Sequence, residues 1–216
     1  RMRSKWFPPI VIVVMLVFSA AVYNQLPDQI PSHWNIRGEV DRYQPRLMGV
    51  IFLPGLVLFT WLLREGLPRV DPKRAAYSQF EGTWRLIFNA VAVLLGLLHV
   101  GTLGVSLGWQ IDITRWVGVL VGILFMIIGN EMRRIQPNWF FGIRTPWTLS
   151  DPVVWRETHT FGGRVFFIVG LVIAVTAFLQ PEIFFAAMIS GVVLVTVGSF
   201  AYSYLRYRNL HPGASA

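Results

Sequence analysis

Six apolar runs, each close to the length of a bilayer crossing, dominate this chain and limit what it can fold into. About 30 Å of hydrocarbon takes roughly 20 helical residues, and runs of that size can be drawn at about 8–26, 47–63, 84–106, 115–132, 163–180 and 183–205. Runs of uniform greasiness, unlike an amphipathic stripe, need an apolar solvent around them. The remaining composition agrees, with 54% hydrophobic residues and only 14% charged, where a soluble domain carries about 25%. The predicted fold class is therefore an all-α polytopic membrane protein with six transmembrane helices.

Lysines and arginines orient it. With both termini in the cytoplasm, about fifteen of the 19 basic residues fall on inner segments and only Arg37, Arg42, Arg46 and Arg115 fall outside, as the positive-inside rule requires. The net charge of +8 is thus spent on topology and basic loops beside anionic lipid, and it carries no nucleic-acid meaning. The opening "RMRSKWF", its apolar stretch and the Ser-Ala-Ala at 19–21 imitate a secretory signal. The reading here is an uncleaved first span. Cysteine is absent, which removes disulfides, thiolate nucleophiles and cysteine metal sites.

Four regions follow: a helix pair over 1–64 with an outer loop at 27–46, a cytoplasmic loop and third helix over 65–114, a helical region over 115–210 with a cytoplasmic loop at 133–163, and a polar tail at 211–216. The two long loops lie on opposite faces, and such loops tend to carry function. In the outer one, Pro27 and Pro31 hold the chain extended, and "HWNIRGEVDRY" reads as two extended arms around an Arg37-Gly38-Glu39 turn. A small ordered extracytoplasmic cap is expected. In the inner one, Asp151-Pro152 is a helix start, predicting a short helix over about 152–160 with Trp155 and His159 on one face, and Gly162-Gly163 as a bend into the fifth span.

The window "GNEMRRIQPNWFFGIRTPWTLSDPVVWRETHTFGGRVFF" resembles the signature of the SdpI family of bacterial multi-helix membrane proteins. The similarity lies in Gly129-Asn130, Pro137-Asn138, "GIRTPWTLS" at 142–150, "VWRETH" at 154–159 and Gly162-Gly163. "LPDQIPSHWNIRGEVDRY" resembles a domain of unknown function that often precedes that region. The two resemblances span about 8–60 and 115–205. They imply a multi-pass protein of the bacterial cell membrane and immunity to a membrane-active toxic peptide. For the name-giving member of the family they also imply toxin-dependent capture of a cytosolic transcriptional repressor.

On this reading the outer cap binds a peptide through His33, Trp34, Asn35, Glu39 and Asp41, with His99 beneath it, since His99 lies about 22 Å along a helix entering from the cytoplasm near Trp84. The inner loop holds a partner or reports occupancy through Asn138, Arg144, Trp147, Trp155, Arg156 and His159. The plainer reading of those tryptophans and arginines is an interfacial belt against the lipid bilayer. Glu157 and His159, two apart on a helix, point away from each other and make a poor acid–base pair. No catalytic set, metal site or cofactor motif is read from the chain, and His211 is read as incidental. The alternative is a membrane enzyme or small-solute transporter in which His33, His99 and nearby carboxylates converge. Within the spans, Asn89 and Asn130 are expected to bond between helices, Glu131 to pair with neighbouring arginine, and the glycines of "GVLVGILFMIIGN" to allow close helix approach.

Overall fold

A computed structural model describes residues 4–212. Its helices are α1 (Phe7–Val22), α2 (Arg46–Val70), α3 (Tyr77–Ser106), α4 (Ile113–Met132), α5 (Pro146–Ser150), α6 (Pro152–Thr176) and α7 (Pro181–Leu210). Among the described residues, all but the short α5 are long and apolar enough to cross a membrane. A two-stranded antiparallel hairpin, β1 (Gln29–Trp34) and β2 (Val40–Pro45), joins α1 to α2.

The bundle divides into two groups. Helices α1, α2 and α3 pack around Met15, Val57, Ala92 and Leu95. Helices α6 and α7 pack around Val169, Ile173, Phe184 and Val195, and α4 lies along α6 as the most extensive helix pairing of the molecule. Glycines set that closeness. A Cβ on Gly129 would meet the Gly163 carbonyl oxygen at 2.5 Å, and one on Gly122 would meet that of Gly170 at 2.6 Å. Both contacts are backbone to backbone, seven residues apart on each antiparallel helix, as expected where small residues replace side-chain interdigitation.

Two boundaries differ from the sequence expectation for one reason. Helix α3 begins at Tyr77 rather than 84, with non-helical Phe80 (φ −131°, ψ 23°) near its start. Helix α6 begins at Pro152 and runs unbroken to Thr176, so Gly162 and Gly163 are mid-helix and no bend separates a short helix from the fifth span. The polar residues at the head of each helix look like loop in sequence, but Tyr77, Phe80, Thr83 and Trp84 of α3 and Val154, Trp155, Thr158 and His159 of α6 are buried there. Gly162 makes room for the Ile143 side chain and Gly163 for Gly129, so the pair serves close approach.

The basic end is sealed by polar contacts. Arg64, only 2% exposed, donates to Asn89 Oδ1 at 2.7 Å and to the Lys5 carbonyl at 2.7 Å, tying the chain start to α2 and α3. Glu131, 3% exposed, pairs with Arg134 and accepts from Thr83 Oγ1 of α3 at 2.6 Å. Among the described residues, the Asn130 side chain makes a long contact, 3.5 Å, to adjacent Glu131 rather than a bond between helices.

Candidate functional site: an outer cap and an inner loop

The outer cap is a hairpin whose turn Asn35 builds. Its Oδ1 accepts the N–H groups of Arg37 at 2.8 Å and Glu39 at 3.1 Å, and its Nδ2 donates to Glu39 Oε2 at 2.9 Å. Gly38 takes φ +78°, the left-handed region glycine enters without penalty. His33 Nδ1 meets Asp41 Oδ1 across the strands at 2.6 Å on the exposed side. Below, fully buried Ile30 sits in the gap over Gly49, where a Cβ would lie 2.7 Å from its Cδ1. With Leu26, Val50 and Leu103 it fastens the cap to the bundle.

Between the hairpin and the outer ends of the helices lies a cavity of about 550 Å³. Trp34, Arg37 and Val40 line it from the hairpin, and Asp112, Thr114 and Arg115 from the start of α4. Asp112 caps α4 by accepting the Arg115 N–H at 3.1 Å and also pairs with the Arg115 guanidinium at 2.9 Å. Of the cap residues expected from sequence, Trp34 lines this cavity, Asn35 and Glu39 form the turn, and His33 and Asp41 pair with each other.

His99 does not join them. It is fully buried, with Nε2 2.7 Å from Ser19 Oγ of α1, whereas the His33 side chain is 56% exposed. The alternative in which His33 and His99 converge, and the placement of His99 in the cap's binding set, are both corrected: His99 faces Ser19 of α1. Among the described residues, no group of three or more histidines and carboxylates is arranged to hold a metal ion.

The inner loop is folded from within. Asn138, fully buried, accepts the N–H groups of Phe140 at 3.0 Å and Phe141 at 2.7 Å, and donates to the Gln136 and Phe141 carbonyls. Asp71, 2% exposed, accepts from Tyr77 Oη at 2.9 Å and from the Trp139 N–H at 3.0 Å, which ties the α2–α3 turn to this loop. Trp155 donates its Nε1–H to the Ile135 carbonyl at 2.8 Å and stacks on His159, ring centroids 4.2 Å apart. His159 Nε2 accepts the Ile143 N–H at 3.0 Å while Nδ1 lies 2.8 Å from the Trp155 carbonyl. That network assigns a neutral ring with its proton on Nδ1.

Asn138, Trp155 and His159 therefore hold the loop from inside, and the expected Trp155–His159 recognition face is corrected: both rings are enclosed. Trp147 packs on Phe200 and Tyr204 of α7, centroids 4.9 Å away in each case. Arg144 and Arg156 remain at the surface, and Arg144 donates to the Trp139 carbonyl. Glu157 pairs with Arg206 of α7 rather than with His159. His211 is not incidental, since its Nε2 lies 2.9 Å from Asp151 Oδ2.

Sequence reasoning missed Asp71 and Arg64. Asp71 was hidden in a charged turn, where Asp-Pro after a long apolar run was its only signal. In sequence Arg64 reads only as one of the basic residues on the inner side.

Comparison with known proteins agrees with this architecture. Residues 134–203 match the SdpI/YfhL protein family, and residues 10–58 match a domain of unknown function, DUF1648. The second match contains most of α1, the hairpin and the first half of α2. The first contains most of the inner loop and helices α5, α6 and much of α7. The chain is 32% identical to the immunity protein SdpI of Bacillus subtilis (strain 168) over 203 residues, covering 93% of this chain and 95% of that one. No solved structure matches. Identity at that level across nearly both whole chains, together with six apolar helices, makes this a multi-pass bacterial membrane protein that belongs to the SdpI family.

Proposed function

We propose that the chain is a non-enzymatic membrane immunity protein that intercepts a toxic peptide at its outer face, in the cavity beneath the β1–β2 hairpin. The membrane-immunity role is supported by the extent of similarity to a protein named for that role. The site rests on one observation: Trp34 opens onto the same cavity of about 550 Å³ as Arg37 and the Asp112–Arg115 pair. A half-buried indole offers a large apolar contact with little entropy to lose. The neighbouring carboxylate and guanidinium groups offer charge to a peptide backbone or a basic side chain. His33, Asn35, Glu39 and Asp41 shape the rim.

At the other face, the exposed residues Arg144 and Arg156 and the packed Trp147 form the surface proposed to hold a cytosolic repressor, built on the framework of Asn138, Trp155 and His159. The test is survival of a toxin-sensitive strain carrying the chain, challenged with a sporulation-delay toxin, with membrane abundance measured in parallel. Trp34→Ala is expected to lower protection at normal abundance, and His33→Ala only modestly. Full protection by Trp34→Ala would remove the cavity from the proposal. Arg144→Lys is expected to keep protection and reduce repressor recruitment, because lysine lacks the planar fork that guanidinium offers to carboxylates and carbonyls.

A further inference from the structure

On the lipid-facing side of the α4–α6 pair, at the basic end, a cleft of about 360 Å³ opens between the helices. Its floor is the glycine contact between Gly129 and Gly163, which brings the two backbones together and leaves the side chains around them to form walls. Thr160, Arg164 and Phe167 rise from one face of α6, at the helical spacing of four and three, and Asn130 and Arg133 face them from the end of α4.

Both arginines are exposed, and among the described residues neither has a carboxylate within ion-pair distance. Other described arginines, such as Arg74 and Arg208, also lack an ion pair, but Arg133 and Arg164 line the same cleft. Because Gly163 lies against Gly129, Arg164 stands about one helical turn inside the end of α4. Two guanidinium groups lining one cleft repel each other, and an anion between them removes that cost.

A second, mostly apolar groove of about 370 Å³ adjoins the cleft, with Asn130 and Phe167 lining both spaces. Leu86, Ile123, Met126 and Ile127 make up the rest of its wall, with the buried Glu131 at its end beside Asn130. A fixed anion site at the headgroup level joined to an apolar channel at the acyl level matches one kind of ligand. We infer that the α4–α6 cleft binds the phosphate of one anionic phospholipid between Arg133 and Arg164, with an acyl chain laid along the groove past Phe167. The phosphate oxygens accept charge-assisted hydrogen bonds from the two guanidinium forks, and Asn130 and Thr160 supply polar contact at the rim. This site lies on the opposite face from the hairpin cavity and does not depend on the immunity reading.

The full chain in neutral detergent, titrated with phosphatidylglycerol, phosphatidylcholine or soluble glycerol 3-phosphate and read by native mass spectrometry, tests this. Phosphatidylglycerol is expected to bind in preference to phosphatidylcholine, with glycerol 3-phosphate failing to compete at equal concentration. In Arg133→Gln/Arg164→Gln the preference is expected to fall about tenfold or more, from the loss of two basic contacts. Arg74→Gln/Arg208→Gln, at the same end but outside the cleft, is expected to leave it unchanged. Arg164→Lys keeps the charge and therefore the surface electrostatics, and is expected to weaken phosphatidylglycerol binding by a smaller factor. A cleft variant that keeps the full preference overturns the site, and a control variant that loses as much reduces it to general basic attraction. Equal competition by glycerol 3-phosphate makes it a soluble-phosphate site instead, and unchanged affinity in Arg164→Lys rules out recognition by the guanidinium fork.

Discussion

Ile143 donates its backbone N–H to Nε2 of His159 at 3.0 Å, and this bond crosses the inner loop to α6. The histidine thereby acts as a fixed acceptor, its other nitrogen engaged by the Trp155 carbonyl and its ring covered by the Trp155 indole. Gly142, just before the bond, has φ +104° and lies so close to His159 that a Cβ there would collide with Nε2. The loop's path is thus set by one ring and one glycine.

His159→Ala removes the acceptor and leaves the partly buried Ile143 N–H without its partner, which costs about 1 kcal/mol. Hydrogen exchange at Ile143 and its neighbours should accelerate, with the thermal midpoint falling, while exchange in α1 stays slow. His159→Gln, which can present an amide oxygen, should recover part of the protection. Unchanged exchange at Ile143 in His159→Ala would show that the bond does not hold the loop.

The orientation can be read chemically, because the chain has no cysteine. Ser32 in β1 and Ser150 at the end of α5 are both exposed, so single cysteines at these positions should accept an impermeant thiol reagent wherever it reaches them. Ser32→Cys should label in intact cells and Ser150→Cys only after permeabilisation. Equal labelling of both in intact cells would contradict the distribution of arginines.

The six spans and the hairpin were legible because each rests on a local signal, uniform greasiness in one case and proline with a glycine turn in the other. The Asp151-Pro152 start was legible too, since capping depends on adjacent residues. Burial of polar side chains was not. Arg64, Asp71 and Asn138 look like surface residues in sequence, and only the tertiary arrangement supplies the carbonyls, hydroxyls and amides that let them be enclosed. The same blindness made Gly162-Gly163 look like a hinge, because a glycine needed for close approach and one needed for bending read alike. Helix rise says how far along α3 His99 lies, but its azimuth toward Ser19 depends on how α3 turns against α1.

Asp151 gives a pH dependence with a definite sign. The Val154 N–H is the main cause that holds its carboxyl below the usual aspartate range; partial burial opposes this, and His211 and the Val153 N–H add to the lowering. A carboxyl with a lowered folded value contributes stability that is present above its unfolded value and lost as pH falls through the folded one. Asp151→Ala should cost about 1 kcal/mol at neutral pH, the usual worth of an N-cap. The gap from the parent protein should narrow on acidification as the parent loses the charged cap. Thermal midpoints measured from neutral to acidic pH check this, and a gap that widens on acidification would refute the assignment.

The α4–α6 contact makes a sharper prediction, because its neighbours are backbone atoms that cannot rotate away. A Cβ on Gly129 would lie 2.5 Å from the Gly163 oxygen and 2.6 Å from the Phe167 nitrogen, and one on Gly163 would lie 2.6 Å from the Gly129 oxygen. Either Gly129→Ala or Gly163→Ala must push the helices apart, and overpacking of this kind costs about 1–3 kcal/mol. Gly55→Ala in α2, where a Cβ meets nothing within 4 Å, should be neutral or stabilise by up to about 1 kcal/mol through helix propensity. The two α4–α6 substitutions face each other, so they should not add: once one methyl has opened the contact, the second enters space already made. Thermal midpoints in detergent for the three single variants and the Gly129→Ala/Gly163→Ala double variant measure all of this. If the double variant loses at least the sum of the singles, the helices do not separate as a unit and the glycines act independently. If neither single variant is destabilised, the close backbone approach is not what holds α4 to α6.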